Sequence, residues 1–465
     1  MRAASLPTLV TVLAAALAGA CRRPAASRPA SPRPVDAGQD SFIRRPSHPA
    51  AGCPASAASS TAEGSVHADT VAGVERWRAA DSPHRLPFGV HVHSGGDLTI
   101  EPCALVLVGP GMEVVVHGGA AIHAAASASG PIRVARLDRA RAWQALELRA
   151  EARAGSSLAG VLLEGGGAAP AERRATAATL RLAMRAGLEA PGLTIADGDG
   201  WGVAILGEGR FADPGAALEL RGLRGEGAVT VEDVNRVGDL PELRFAGNAS
   251  DDVRVEARVR TLTADARWRA LGGRGRYRVR PAMHVVVEGE SSPTLTLEAG
   301  VRVSFGADAE LDVGFGGPGA LVVEGLPAQP VVLDGADSER WVGIHLGPRM
   351  DVRRSRIAFA RIEHAGAPSG VVLPTCGCAG AHLDEAMLTL HGVDAPGLLH
   401  ATQFVDGPPA GVAVLRAGNF PGSPGARPFA GAASDFTRSS VRCIASAPLV
   451  GGGCAPEPHS ASGSR

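Results

Sequence analysis

The chain contains no lysine: all 46 of its basic residues are arginine, set against 47 acidic ones. A GC-rich coding sequence is the simplest source of that bias, and no special arginine chemistry follows from it. The net charge is −1 with the basic residues scattered, which excludes the concentrated basic surface of a nucleic-acid binder. Aromatic residues make up only 4%, with a single tyrosine, so large ring-filled globular cores are poorly supplied. No segment beyond the first 20 residues is long and apolar enough for a spanning helix, which needs about 20 apolar residues. H-E-x-x-H, G-x-S-x-G and a phosphate-binding glycine loop are all missing, and with them the commonest signatures of zinc peptidases, serine hydrolases and nucleotide binders. A helical period is nearly missing too, which excludes an α/β fold; only Ala171 to Ala186 offers one short helix. What the chain has instead is 61 glycines among abundant Ala, Val and Leu, a composition suited to thin, regularly stacked layers.

The N-terminus carries one positive charge at Arg2, a short apolar run Leu9-Val10-Thr11-Val12-Leu13-Ala14-Ala15-Ala16-Leu17, and small residues before a cysteine. That is the layout of a secretory signal over residues 1–20. Leu17-Ala18-Gly19-Ala20-Cys21 resembles the bacterial lipobox, with Ala18 where leucine is commoner. The resemblance implies lipidation at Cys21 and an acyl anchor in the cell envelope, at the outer membrane or cell surface. Two acyl chains suffice for stable attachment, at about 0.8 kcal/mol per buried CH₂. Residues 21–65 are rich in Ala, Pro, Ser and Arg and too poor in large apolar side chains to offset their ordering entropy, so they read as a disordered tether. Residues 455–465 read as a loose tail.

Six further cysteines, Cys53, Cys103, Cys376, Cys378, Cys443 and Cys454, form an even set in an exported chain and are disulfide candidates. Their connectivity stays open among 15 pairings. Cys376-Gly377-Cys378 is one residue too tight for the usual paired-cysteine zinc spacing.

The body is duplicated. Arg76-Trp77-Arg78-Ala79 recurs as Arg267-Trp268-Arg269-Ala270, and Leu98-Thr99-Ile100-Glu101 as Leu295-Thr296-Leu297-Glu298. Trp143 with Leu146-Glu147-Leu148 matches Trp341 with Ile344-His345-Leu346. Ala190-Pro191-Gly192-Leu193 and Gly202-Val203-Ala204-Ile205-Leu206 match Ala395-Pro396-Gly397-Leu398 and Gly411-Val412-Ala413-Val414-Leu415. The order is kept throughout, which sets two halves at residues 66–260 and 261–454. The paired tryptophans point to packing roles. Within each half, short alternating segments such as Val301-Arg302-Val303-Ser304-Phe305 are punctuated by glycines, the pattern of half-buried strands. Val301, Val303 and Phe305 are expected inside, with Arg302 and Ser304 outside.

Leu295 to Phe305, followed by Pro330-Val331-Val332-Leu333, Trp341-Val342-Gly343-Ile344 and Arg361-Ile362-Glu363-His364-Ala365-Gly366, resembles the repeat element of bacterial right-handed parallel β-helix, pectate-lyase-like surface proteins. Cys103 stands where that element usually has glycine. The resemblance spans roughly residues 70 to 425 and implies an all-β solenoid of two tandem halves; a fold that serves lyases, hydrolases, adhesins and scaffolds says little about activity. A string of small antiparallel sandwiches is the competing architecture.

Candidate chemistry is sparse. Asp197-Gly198-Asp199-Gly200 offers two carboxylates that could bind calcium or act as an acid–base pair, but a glycine turn whose aspartates bond their own backbone is the simpler reading, and the second copy lacks the motif. His91 and His93 share one strand face without an evident third ligand. No catalytic residue, metal ligand or cofactor is assigned. The expectation is a non-enzymatic envelope scaffold or a module binding polysaccharide or a surface protein, with no nucleic-acid partner; the alternative is a pectate-lyase-like carbohydrate-active enzyme.

Overall fold

Strands of three to five residues cannot bury a face alone, but stacked in register they bury each inner side chain between its copies above and below. A computed structural model of the chain shows that arrangement for residues 53, 63–67, 69–127, 130–168, 177–368, 385–408, 412–417, 444–447 and 455–456. The fold is a right-handed parallel β-helix; the only antiparallel strand pair among the described residues joins Ile444–Ala447 to Ala455–Pro456. Its spine is a 13-stranded parallel sheet from Thr70–Val71 to Gln403–Val405, so a coil takes roughly 28 residues, within the usual repeat length. Because this sheet crosses both copies, they form one continuous solenoid. Buried residues from Val71 to Val414 make one unbroken core.

The copies are equivalent in detail. Trp143 donates its indole N–H to the Glu164 carbonyl at 2.8 Å, and Trp341 donates to the Glu363 carbonyl at 2.9 Å. Ser156 Oγ accepts from the Ile122 N–H at 3.4 Å, as Ser355 Oγ does from Leu321 at 3.2 Å. Trp77 stacks on His84, whose Nε2 lies 2.9 Å from the Arg78 carbonyl oxygen; Trp268 lies against Tyr277, whose hydroxyl donates to the Arg269 carbonyl at 2.9 Å.

The copies are nevertheless offset by one sheet. In the first, each full coil visits an eight-stranded sheet (Ser65–Val66 to Glu242–Ala246), the long sheet, and a four-stranded sheet (Val74–Trp77 to Ser157–Ala159). In the second, the cycle starts on the long sheet and continues through another eight-stranded sheet, beginning at Thr261–Leu262, and a five-stranded one from Ala266–Trp268 to Leu399–His400. Thus Leu105–Val108 lies in the first sheet, while its counterpart Arg302–Phe305 lies in the long one. The cause is local. After Ser157–Ala159 the third strand of each coil lapses, leaving the isolated bridges Ser157 to Glu189 and Leu188 to Phe211 and then the short 3₁₀ segment Val234–Asp239. The seven-residue strand Val253–Val259, the counterpart of Ser65–Val66, then enters the long sheet and opens the second copy, so the structural junction falls a little before the 260/261 boundary read from the sequence.

Val301, Val303 and Phe305 are buried and Arg302 is exposed, as the alternation requires. Ser304 sits on the outer side but is covered, within 3.4 Å of the Arg276 guanidinium. The short helix expected between Ala171 and Ala186 is not formed where described: Ala178–Leu182 is a strand paired in parallel with Leu146–Leu148 and Trp201–Ile205, because ladder hydrogen bonds and the burial of Leu180 and Leu182 override alanine's helical preference. Cys103 has φ +72°, the left-handed region taken by its counterpart Gly300 at +79°, which accounts for glycine there in the repeat element. Cys103 is bonded to Cys53, with Cα atoms 5.4 Å apart. Cys21, Cys376, Cys378, Cys443 and Cys454 lie outside the described residues.

Candidate functional site

The offset between the copies has a consequence at the surface. The first eight-stranded sheet stops at Glu242–Ala246, which pairs with Ala217–Arg221 on one side only. The chain from Arg267 to Gly273 crosses over that free edge, leaving a cleft of about 590 Å³, within the range typical of ligand sites. Arg244, Arg267 and Arg269 face it along with Glu242, while Phe245, Leu271 and Tyr277 supply apolar walls. Arg244 and Arg267 are paired with Glu242 and Glu298 at 3.0 and 2.9 Å. Arg269 donates to the Pro214 carbonyl at 3.0 Å and meets no carboxylate among the described residues, so its charge is uncompensated locally. Burial raises the Tyr277 phenol far above its ordinary value, and the group is neutral at any physiological pH.

A second concentration of polar groups lies on the outer face of the strands His284–Val287, Glu310–Val313, Gly343–Leu346 and Ala386–His391. Period-two alternation sends Val285, Leu311, Val313, Ile344 and Leu346 into the core and turns His284, Glu310, Asp312 and His345 the other way. His284 Nδ1 contacts Glu310 and lies 3.4 Å from Asp312 Oδ2. Burial, then the Glu310 charge and the hydrogen bond between the two side chains, push the Asp312 carboxyl up to about 8. Burial, followed by the neighbouring His391 and His284, pushes His345 down to about 3; burial also lowers His391.

Asp197 and Asp199 do not form a free carboxylate pair. Asp197 has φ +53°, in a turn, and its carbonyl accepts from Arg136 at 2.9 Å. Asp199 accepts from the same guanidinium at 3.1 Å and from Arg224 at 3.5 Å. His91 and His93 do gain a third partner that the sequence reading missed: His117, one coil further, lies 3.0 Å from His91 Nδ1 and stacks on His93. Its other nitrogen is 3.3 Å from the Arg149 guanidinium. Burial and then Arg149 lower the His117 value. Asp334, Glu363 and His364 also converge, but Arg361 already pairs with Glu363, and His364 Nδ1 is 2.7 Å from Asp334.

No family model matches this chain, and no curated protein or solved structure matches it either.

Proposed function

We propose that this is an exported lipoprotein, anchored in the cell envelope through Cys21, whose β-helix body is a non-enzymatic module binding an acidic polysaccharide. The supporting observation is the cleft between the copies. An unpaired strand edge supplies backbone donors and acceptors for hydroxyls, Arg269 supplies a cation without a carboxylate partner, and Phe245 supplies ring surface for a sugar face. Among the described residues no helix is long and apolar enough to cross a membrane, so the acyl chains at Cys21 would carry the attachment.

The competing reading, a pectate-lyase-like carbohydrate-active enzyme, draws on the Glu310 and Asp312 carboxyls, which share one outer face. Calorimetric titration of the mature protein with polygalacturonate and alginate oligosaccharides separates the two. Binding that weakens roughly tenfold, or about 1.4 kcal/mol, in Arg269→Ala, with no cleavage products in the presence of calcium, supports the binding module. Cleavage would replace it with the enzyme, and the absence of binding to either glycan would reject the cleft as their seat.

A further inference from the structure

The outer faces of this solenoid neutralise carboxylates with arginine. Glu164 pairs with Arg133 at 2.9 Å, Glu147 with Arg181 at 2.7 Å, and Glu298 with Arg267 at 2.9 Å. Glu310 and Asp312 break that habit. Their side chains are 13% and 14% exposed, they lie two residues apart on one strand, and among the described residues neither meets an arginine. Histidines surround them instead. In the preceding coil His284 is in register with Glu310; in the following coil His345 is in register with Asp312.

Donor atoms of His284, Glu310 and Asp312 all lie within 4.8 Å of one another. His345 is only 6% exposed, and neither of its ring nitrogens has a hydrogen-bond partner among the described residues. His391, whose ring centroid is 5.2 Å from that of His345, has a buried Nε2 without a partner, which forfeits a hydrogen bond that water would have supplied. Opposite Glu310 in the next strand is Gly343, at φ +132°, where a Cβ would come within 2.6 Å of the Met387 carbonyl oxygen. Only glycine fits there, because the Met387 backbone fills the place a side chain would take. On the far side Glu288 accepts the backbone N–H groups of Phe315 and Gly316 at 3.1 and 2.6 Å, and Phe315 meets His391 edge-on, which fixes the loop at the border of the cluster.

We propose that His284, Glu310 and Asp312 bind a divalent transition ion of the zinc type. Two carboxylates with imidazole nitrogen suit zinc and its neighbours, whereas calcium and magnesium select all-oxygen sets. The ligands come from two successive coils, so the ion staples one coil to the next along the axis. The site stands apart from the cleft, and its failure would leave the polysaccharide reading untouched.

The test is a zinc titration of the chelator-treated mature protein, in competition with a chromophoric chelator, repeated in a Cys376→Ser, Cys378→Ser background. One tight equivalent is expected in both, unaffected by millimolar calcium or magnesium and accompanied by a rise in melting temperature. Asp312→Asn and Glu310→Gln keep side-chain shape, and each should weaken binding by roughly 100-fold, at or beyond the upper end of what losing an outer-shell partner costs a metal site. Circular dichroism of the metal-free variants verifies that they fold, and a folded variant should also lose the zinc-dependent rise in melting temperature. No stoichiometric binding, undiminished affinity in both folded variants, or loss of the equivalent in His364→Ala instead would overturn the proposal.

Discussion

Trp341 offers the sharpest measure of how the coils are held together. Its side chain has no exposed surface, lies flat against Phe305 with ring centroids 4.1 Å apart, and donates its N–H to the Glu363 carbonyl at 2.9 Å. Truncating a buried tryptophan to alanine costs about 3–5 kcal/mol in lost transfer energy and residual cavity. Stranding the Glu363 carbonyl adds roughly 1 kcal/mol or more. Trp341→Ala should therefore lose about 4–6 kcal/mol, comparable to an entire domain's margin, whereas Trp341→Phe keeps the stack and should lose markedly less. Trp143→Ala, which removes the equivalent indole and its bond to the Glu164 carbonyl, should match Trp341→Ala within about 1 kcal/mol. Urea unfolding followed by far-ultraviolet circular dichroism reads all three. A loss below about 1 kcal/mol for Trp341→Ala, the level of an ordinary surface change, would refute the assignment of these tryptophans as core pillars.

Val303→Arg should unfold its coil, since an unpaired charge would replace a side chain 1% exposed, while Arg302→Ala should be nearly silent; equal losses in thermal melting would mean that the inner face is misassigned. Cys21→Ala should abolish labelling by a fatty-acid analogue, and a variant that still labels would remove the anchor. Burial holds the His84 imidazole below 6.5 against the raising influence of the Arg78 carbonyl, with His67, Asp81 and Glu75 as the charged neighbours. The native state then binds fewer protons than the unfolded chain as pH falls below 6.5, so stability should drop on acidification. His84→Tyr copies the Tyr277 arrangement of the second copy and should flatten that loss; an unchanged difference in melting temperature between pH 7.5 and 5.5 would contradict the assignment.

The strands, the duplication and the burial of the paired tryptophans were legible in the sequence because each leaves a local mark: alternation, a repeated string, a ring among small residues. The cleft was not, because it arises where the first eight-stranded sheet stops at Glu242–Ala246, and a strand edge left without a partner leaves no pattern of its own. The histidine clusters were half legible. His91 and His93 were visible on one strand, but His117 stands 26 residues from His91, one coil on, and only the stacking register shows that they touch. Glu310 follows His284 at the same one-coil distance and was overlooked for the same reason. Searching for titratable residues one coil apart would have found both. Asp197 and Asp199 were read as structural from their glycines and from the motif's absence in the second copy; Arg136, from more than 60 residues away, supplies the physical reason.

That a single solenoid runs unbroken through both copies is tested most directly at the strand pair where they meet. Thr230 and Arg254 are in-register partners, one on the long sheet's last first-copy strand and the other on the opening strand of the second copy. Directly paired positions on neighbouring strands lie within the Cα spacing that a disulfide tolerates. A Thr230→Cys, Arg254→Cys variant, oxidised and mapped by peptide mass spectrometry, should carry an intramolecular crosslink between those two positions while keeping the parent's circular dichroism. A folded double variant with no such crosslink would mean that the copies are separate stacks and that the cleft between them does not exist.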